Sequence, residues 1–414
     1  MTTDATAIPE TADAPAFPMA RTCPHLLPDG YAELRDGPVL RKVALFDGPA
    51  WIVTRHAEAR ALLGDNRLSA EKQHKGFPAY TPPERMPRPF KTLAEMDPPE
   101  HTVHRRMLIP AFAVRRIQEM RPFIQETVNG LIDAMEKGGP SADLVKDFAV
   151  HVPSMVICDV LDIPYEDREI FQRLSYRITQ ERTTLDDQQL KQALGEIFGY
   201  LGKVVEQQIK EPGPGLMGVL ATERVAKGEL EPRDMITLAL VLLVAAQETT
   251  ASTIANGTVC LLENPEQLAK LQADPDLWNN AIEEILRITS VSDLNTRRVA
   301  AADIEIAGEV IRAGEGVIIP NGLVNRDATV FDDPDVLDVT RSAKHHLAFG
   351  HGVHNCIGQS LARVELEIAF KTLFTRLPSL RLTADVADLP MSDSAGVQAL
   401  TSLPIAWDPK EDVL

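Results

Sequence analysis

From Arg115 to Met135, apolar residues recur at steps of three and four: Ile117, Met120, Ile124, Val128, Leu131 and Met135. That period predicts an amphipathic helix, stopped by Gly138, Gly139 and Pro140. Similar patterns predict helices over about 143–161, 187–210, 233–262, 266–273, 277–289 and 358–376, and a short one in "HAEARALLGD" (56–65). Strand patterns are fewer. "VALFDGPAWIVTR" (43–55) reads as a hairpin, and "DIEIAGEVIRAGEGVIIP" (303–320) alternates and turns at glycines like a second small hairpin sheet. The expected fold is mainly α with a small β portion, without internal repeats.

The segment 233–262 is the most apolar of these. As one helix it spans about 45 Å, enough to cross a domain of this size. Its uninterrupted apolar run, "MITLALVLLVAA" (235–246), falls short of the roughly 20 residues a membrane span needs, so it reads as a buried central helix. Directly afterwards come Gln247, Glu248, Thr249 and Thr250. Burying such groups costs several kcal/mol unless partners satisfy them. The proline- and lysine-rich stretch 71–89 is a long connection between elements and a candidate substrate lid.

Composition narrows the function classes. The 414 residues carry a net charge of −18, which opposes general binding to nucleic acid or to a membrane surface. Residues 1–15 read as a loose polar tail with no basic start or hydrophobic signal segment, so a cytoplasmic location is expected, with 16–414 as one domain. Four cysteines, Cys23, Cys158, Cys260 and Cys356, lie far apart, as free thiols do in a reducing compartment.

Cys356 stands out within "FGHGVHNCIGQ" (349–359), where Gly350, Gly352 and Gly358 allow tight turns close to a bulky group. It falls at the N-terminal edge of the helix predicted over 358–376, where the helix dipole and free N–H groups favour a thiolate. Four readings compete: a small buried hydrophobe, a zinc cluster with His351 and His354, a nucleophile with a histidine base, and a thiolate ligand to haem iron. The first leaves the glycines and histidines unexplained, the zinc cluster lacks an obvious fourth ligand, and the nucleophile wants an orienting third group.

The string matches every fixed position of Phe-x-x-Gly-x-His/Arg-x-Cys-x-Gly, and so resembles the haem-binding signature of the cytochromes P450. Further motifs follow in that family's order. "EILR" supplies Glu284 and Arg287, Arg341 in "FDDPDVLDVTR" resembles the third member of that network, "AAQETT" (245–250) resembles the central-helix motif, and "DPPEHTVHRR" (97–106) the haem-edge motif. The likeness runs from about Phe17 to Trp407, and phrases such as "RSAKHHLAFGHGVH" are similar to soluble actinomycete members that tailor secondary metabolites.

The resemblance implies the following. Cys356 is the axial ligand of haem b. His101, Arg105, Arg298 and His354 serve its propionates, and Phe349 borders it. Arg298 is preferred to Arg297 because family members carry Arg before a hydrophobic residue and Ala, as in "RVA". Glu248 and Thr249 form the acid and hydroxyl of a proton relay for oxygen activation. Glu284, Arg287 and Arg341 form a structural network. The substrate pocket draws on 71–95, 171–190, Val241, Val244, Ala245, Leu294, Asn295 and the stretch around Val397. Ala246 replaces the family's usual glycine, which could narrow the oxygen pocket. Its substrate is a bulky lipophile such as a macrolide, polyene or steroid-like compound, oxidised with O2 by a monomer. The resemblance implies electrons from a ferredoxin or flavodoxin and its reductase, the ferredoxin and ferredoxin reductase pair being expected here, and the lack of a nucleotide fingerprint or flavin segment makes that donor a separate protein. Arg105, Arg106, Arg115, Arg116, Lys344 and Arg363 form a candidate basic patch for that donor. Rival functions are a peroxygenase, a nitric oxide reductase-type enzyme or a haem sensor.

Overall fold

The computed structural model describes residues 14–80, 91–179, 185–392 and 396–409. Most of the first-fifteen-residue tail, part of the candidate lid and part of the 171–190 stretch therefore lie outside the described residues.

One helix organises the rest. Pro232–Leu262 runs 31 residues and is buried on most of its surface. Among the described residues only this helix is long and apolar enough to cross a membrane, yet here it is the core helix. Helices His151–Val160, Arg168–Thr179, Asp187–Lys210, Trp278–Thr289 and Gln359–Arg376 all pack against it. The approach is close at Gly257, where a Cβ would stand 2.6 Å from the Phe370 ring and 2.8 Å from Ile285. Three of its buried hydroxyls are satisfied along the helix itself: Ser252, Thr253 and Thr258 each donate to the carbonyl four residues back.

The helix Val114–Gly138 crosses the Gln359–Arg376 helix and buries Ile117, Met120, Ile124, Val128, Ile132 and Met135. The buried stripe passes through Ile132 rather than the expected Leu131, which is half-buried, because four steps from Val128 keep the face straighter than three. Residues 143–161 are not one helix. Strand Ser141–Asp143 leads into a π-helical segment, Val145–Ala149, before the helix His151–Val160 begins.

The β portion is more divided than its pattern suggests. A five-stranded sheet orders Leu40–Leu45, Gly48–Val53, Gly316–Ile318, Arg297–Ala300 and Leu68–Ser69. The 303–320 stretch splits: Ile304–Ile306 and Glu309–Ile311 form their own hairpin, whereas Gly316–Ile318 joins the larger sheet, pairing in parallel with Gly48–Val53. A third sheet joins Ser141–Asp143, Pro404–Ala406 and Arg381–Leu382. The five-stranded sheet matters for the site because Arg297–Ala300 is one of its strands.

Candidate active site

The core helix carries one face that protein does not fully cover. Val241, Val244, Ala245, Glu248 and Thr249 recur at i, i+3, i+4, i+7 and i+8, and all remain partly or wholly accessible. Leu242, Leu243, Gln247 and Thr250, interleaved with them, are buried. Helical geometry thus gathers all five expected residues of this segment into one stripe. Small and apolar at Val241–Ala245, the stripe becomes protic at Glu248 and Thr249. Thr249 donates to the Ala245 carbonyl at 2.7 Å, the back-bond its helical position invites. Ala246 lies beside the stripe, half-buried against the main core.

Cys356 sits in the loop before the Gln359–Arg376 helix. Its N–H donates to the Phe349 carbonyl at 2.9 Å. The Asn355 side chain donates to the carbonyls of Phe349 and Gly350, both at 3.2 Å, which pins the loop from inside. Gly352 takes φ +70°, and a Cβ there would stand 2.1 Å from the Leu63 carbonyl oxygen, so only glycine fits. Burial raises the thiol pKa, opposed by the Gly358 N–H and by the charges of Arg105 and Arg363. Taken on its own, the thiol is shifted more by desolvation than by the Gly358 N–H and the neighbouring charges. A bound cation reverses that balance, because a coordinated sulfur is deprotonated.

Four nitrogen donors gather beside this loop. The His101 and His354 rings lie 4.3 Å apart, centre to centre. Arg105 donates to the Asn355 carbonyl at 2.6 Å, tying the Glu100–Leu108 helix to the cysteine loop. Burial depresses His354 to about 3, helped by Arg298 and His101, and depresses Arg298 to about 10 against the pull of Asp97. Among the described residues neither Arg105 nor Arg298 pairs with a carboxylate, and Asp97 is bound to Ser69 and the Ala70 N–H instead. Such a cluster fits a ligand that brings its own anionic groups. Strand alternation explains why Arg298 faces this cluster while Arg297 lies over the Tyr80 ring at 4.7 Å and donates to the Pro78 carbonyl.

Behind the loop, Glu284 and Arg287 form a bidentate pair at 2.7 and 2.8 Å with both side chains fully buried. Arg341 reaches Glu284 at 3.2 Å. Arg287 also donates to the carbonyls of Asn325 and Pro334, and Arg341 to that of Asp332, so the network fastens the 325–341 loops. Other expected residues sit differently. The Leu294 side chain is enclosed with Phe17, Tyr31 and Ile318 in a core cluster, and so shapes a pocket only from behind. Val397 is buried with Val291 and Ala399, whereas Asn295 is exposed and donates to Ser292 at 2.9 Å. Of the basic patch, Arg106, Arg115 and Lys344 are exposed and Arg116 half-buried, but Arg105 and Arg363 turn inward. Two groups escaped the sequence reading. Glu365 is fully buried and hydrogen-bonded to Thr250, with burial lifting its pKa to about 8. Glu283, held at about 2 by His346 and Arg363 despite burial, sits beside the cysteine loop.

The family model for cytochrome P450 matches residues 48–380. The chain belongs to the cytochrome P450 family. This P450 is 48% identical to a vitamin D3 dihydroxylase of Streptomyces griseolus over 98% of its own length and all of the relative's. It is 46% identical to a pentalenic acid synthase of Streptomyces avermitilis, over 95% of this chain and 97% of the other. Its fold superposes with a TM-score of 0.87 on the mycinamicin VIII C21 methyl hydroxylase of Micromonospora griseorubida, solved bound to mycinamicin VIII. That protein is 37% identical, over 95% of this chain and 100% of the other. The P450 is therefore an oxidoreductase of the monooxygenase type, in a family built around haem with a thiolate ligand.

Proposed function

We propose that this P450 inserts one oxygen atom from O2 into a bulky lipophilic secondary metabolite of the macrolide, polyene or steroid-like class. It works as a cytoplasmic monomer supplied with electrons by a ferredoxin and its reductase. The observation that carries the reading is the joining, through Arg105 and Asn355, of the Cys356 loop to a cluster of cationic and imidazole donors whose arginines, among the described residues, pair with no carboxylate. That donor set fits haem b: one sulfur for the iron, and His101, Arg105, Arg298 and His354 for two propionates, with Phe349 bordering the sulfur. When bound, haem supplies the one-electron redox chemistry that activates O2.

The chain's own residues do the rest. Arg105 and Arg298 contribute charge toward those anionic groups, and the His101 and His354 rings contribute hydrogen bonds. Val241, Val244 and Ala245 present apolar surface that excludes water and takes up a lipophilic substrate by burial. Leu294 and Val397 back that surface, and Asn295 offers a polar anchor at its edge. Thr249 can turn its hydroxyl from the Ala245 carbonyl into the site and there pass on a proton drawn from Glu248. Glu284, Arg287 and Arg341 keep the loops behind the sulfur rigid. Arg106, Arg115 and Lys344 remain accessible for an acidic electron donor, which would otherwise be repelled by the −18 net charge. Supporting the substrate class are the names of the relatives, which act on vitamin D3 or a macrolide.

The test is a carbon monoxide difference spectrum of the reduced protein and of Cys356→Ser. The expected result is a red-shifted thiolate band in the first and none in the second; no such band in either overturns the reading. Turnover of a panel of macrolides and sterols with a ferredoxin system, compared with hydrogen peroxide alone, separates a monooxygenase from a peroxygenase. Thr249→Ala is expected to consume O2 while releasing more of it as peroxide.

A further inference from the structure

Arg363 reads in the sequence as a surface charge for an electron donor, but its guanidinium is engaged on three sides. Nε and Nη2 donate to the two oxygens of Glu283 at 2.6 and 2.9 Å. Nη1 donates to the Gln359 amide oxygen at 3.0 Å. The flat face lies over the Phe349 ring, 4.6 Å from its centre. On its other side Glu283 has His346 Nε2 3.2 Å away, with the His346 side chain almost fully buried. The Ala348 N–H donates to His346 Nδ1 at 3.1 Å, which places the ring proton on Nε2, facing Glu283.

Two routes lead from Arg363 to the cysteine loop. One passes through the Phe349 ring to the Phe349 carbonyl, the acceptor of the Cys356 N–H. The other passes through Gln359, whose amide donates to Asn355 at 2.5 Å, and Asn355 in turn donates to the Phe349 and Gly350 carbonyls. Both routes close on the backbone that orients the sulfur. A fork with five fixed donors and a flat stacking face can serve both at once, and a lysine ammonium cannot.

We propose that Arg363, anchored by Glu283, is a positioning residue for the Cys356 loop, setting how firmly the sulfur is held as a thiolate ligand and hence the iron's reduction potential. The proposal rests on the haem-thiolate reading above. Outer contacts of a ligand loop tune the metal through the ligand's orientation and hydrogen bonding. The side chain of Arg363 is one-third exposed and that of Glu283 almost buried, so the clamp joins the protein surface to the ligand loop.

The experiment uses the haem-loaded protein and its variants Arg363→Lys and Glu283→Gln. It reads the carbon monoxide difference spectrum, the ferric/ferrous midpoint by dye equilibration, and haem transfer to apomyoglobin. Arg363→Lys keeps the surface charge and should leave the KM for the electron donor unchanged. It should also raise the non-thiolate fraction, shift the midpoint from the wild-type value and speed haem transfer about fivefold, the scale expected for losing a guanidinium stacked at a partly exposed site. Glu283→Gln should change all three in the same direction. Wild-type spectra, midpoint and haem retention in both variants would overturn the proposal and leave Arg363 as a docking charge. If either single variant fails to fold, the charge-neutral Glu283→Gln/Arg363→Gln pair is measured. A folded double variant with a wild-type midpoint and band overturns the proposal equally. Absence of the thiolate band in the wild type instead rejects the functional reading itself.

Discussion

Glu365 offers a quantitative test of how this core is built. It lies on the helix that begins behind Cys356, its side chain is buried, and its hydrogen bond comes from Thr250 on the core helix. Burial lifts its carboxyl from 4.5 to about 8. An acid raised in the folded state holds its proton there while the unfolded chain has released it, so stability falls as pH climbs from about 4.5 and levels off above about 8. At about 1.4 kcal/mol per unit, the difference amounts to about 5 kcal/mol at most. Glu365→Gln keeps the shape and an acceptor for Thr250 but cannot ionise. We expect wild type and variant to unfold at similar denaturant concentrations at pH 5, and the variant to be the more stable by several kcal/mol at pH 9. The assay is chemical unfolding of the haem-loaded proteins across pH 5 to 9, read as the difference between the two at each pH, so that other titrating groups cancel. Parallel profiles, or a variant weaker at pH 9, would refute the account of Glu365 as a buried, protonated acid.

Three further outcomes are expected. Gly352→Ala forces a side chain into φ +70° and against the Leu63 carbonyl. The backbone strain alone should cost about 1–3 kcal/mol, seen as a lower melting temperature together with a weakened thiolate band. Glu284→Ala strands Arg287 in a fully buried site and should cost about 3–5 kcal/mol, read as lost soluble yield or a shifted unfolding midpoint; an unchanged midpoint would contradict the burial of the pair. Ala246→Gly should lower stability by about 0.5–1 kcal/mol as a glycine inside a helix. If the alanine methyl crowds the oxygen pocket, this variant also releases less peroxide per O2 consumed, and equal peroxide would show that the methyl is harmless.

Long periodic segments were legible in the sequence. The pattern over 187–210 matches Asp187–Lys210, where Asp186 and Gln189 close a capping box that fixes the start. The Glu100–Leu108 helix escaped because "EHTVHRRML" offers few apolar residues, and its purpose is to carry His101 and Arg105 rather than to build core. The strand Arg297–Ala300 escaped because two arginines on opposite faces do not look like a half-buried strand. Within the site, spacing alone gathered the core-helix stripe, since a period of 3.6 is a local property. Glu365 was illegible for the opposite reason: in "ARVELEIAF" it resembles any helical surface charge, and only the packing of a helix about 115 residues away buries it. The burial of Leu294 was illegible likewise, because which way a loop residue turns depends on the N-terminal segment with Phe17 and Tyr31 that covers it.

Consecutive glutamates on the Trp278–Thr289 helix serve different neighbourhoods. Glu283 reaches forward to Arg363, while Glu284 holds Arg287 and Arg341. A helix turns by about 100° per residue, so inserting or deleting one position there trades one neighbourhood for the other. The stretch from 283 to 363 is accordingly stitched into a unit of inheritance. In chimeras assembled from related sequences, crossovers before residue 278 or beyond residue 376 should give active hybrids, whereas junctions between 289 and 341 part Glu283 from Arg363 and Glu284 from Arg341.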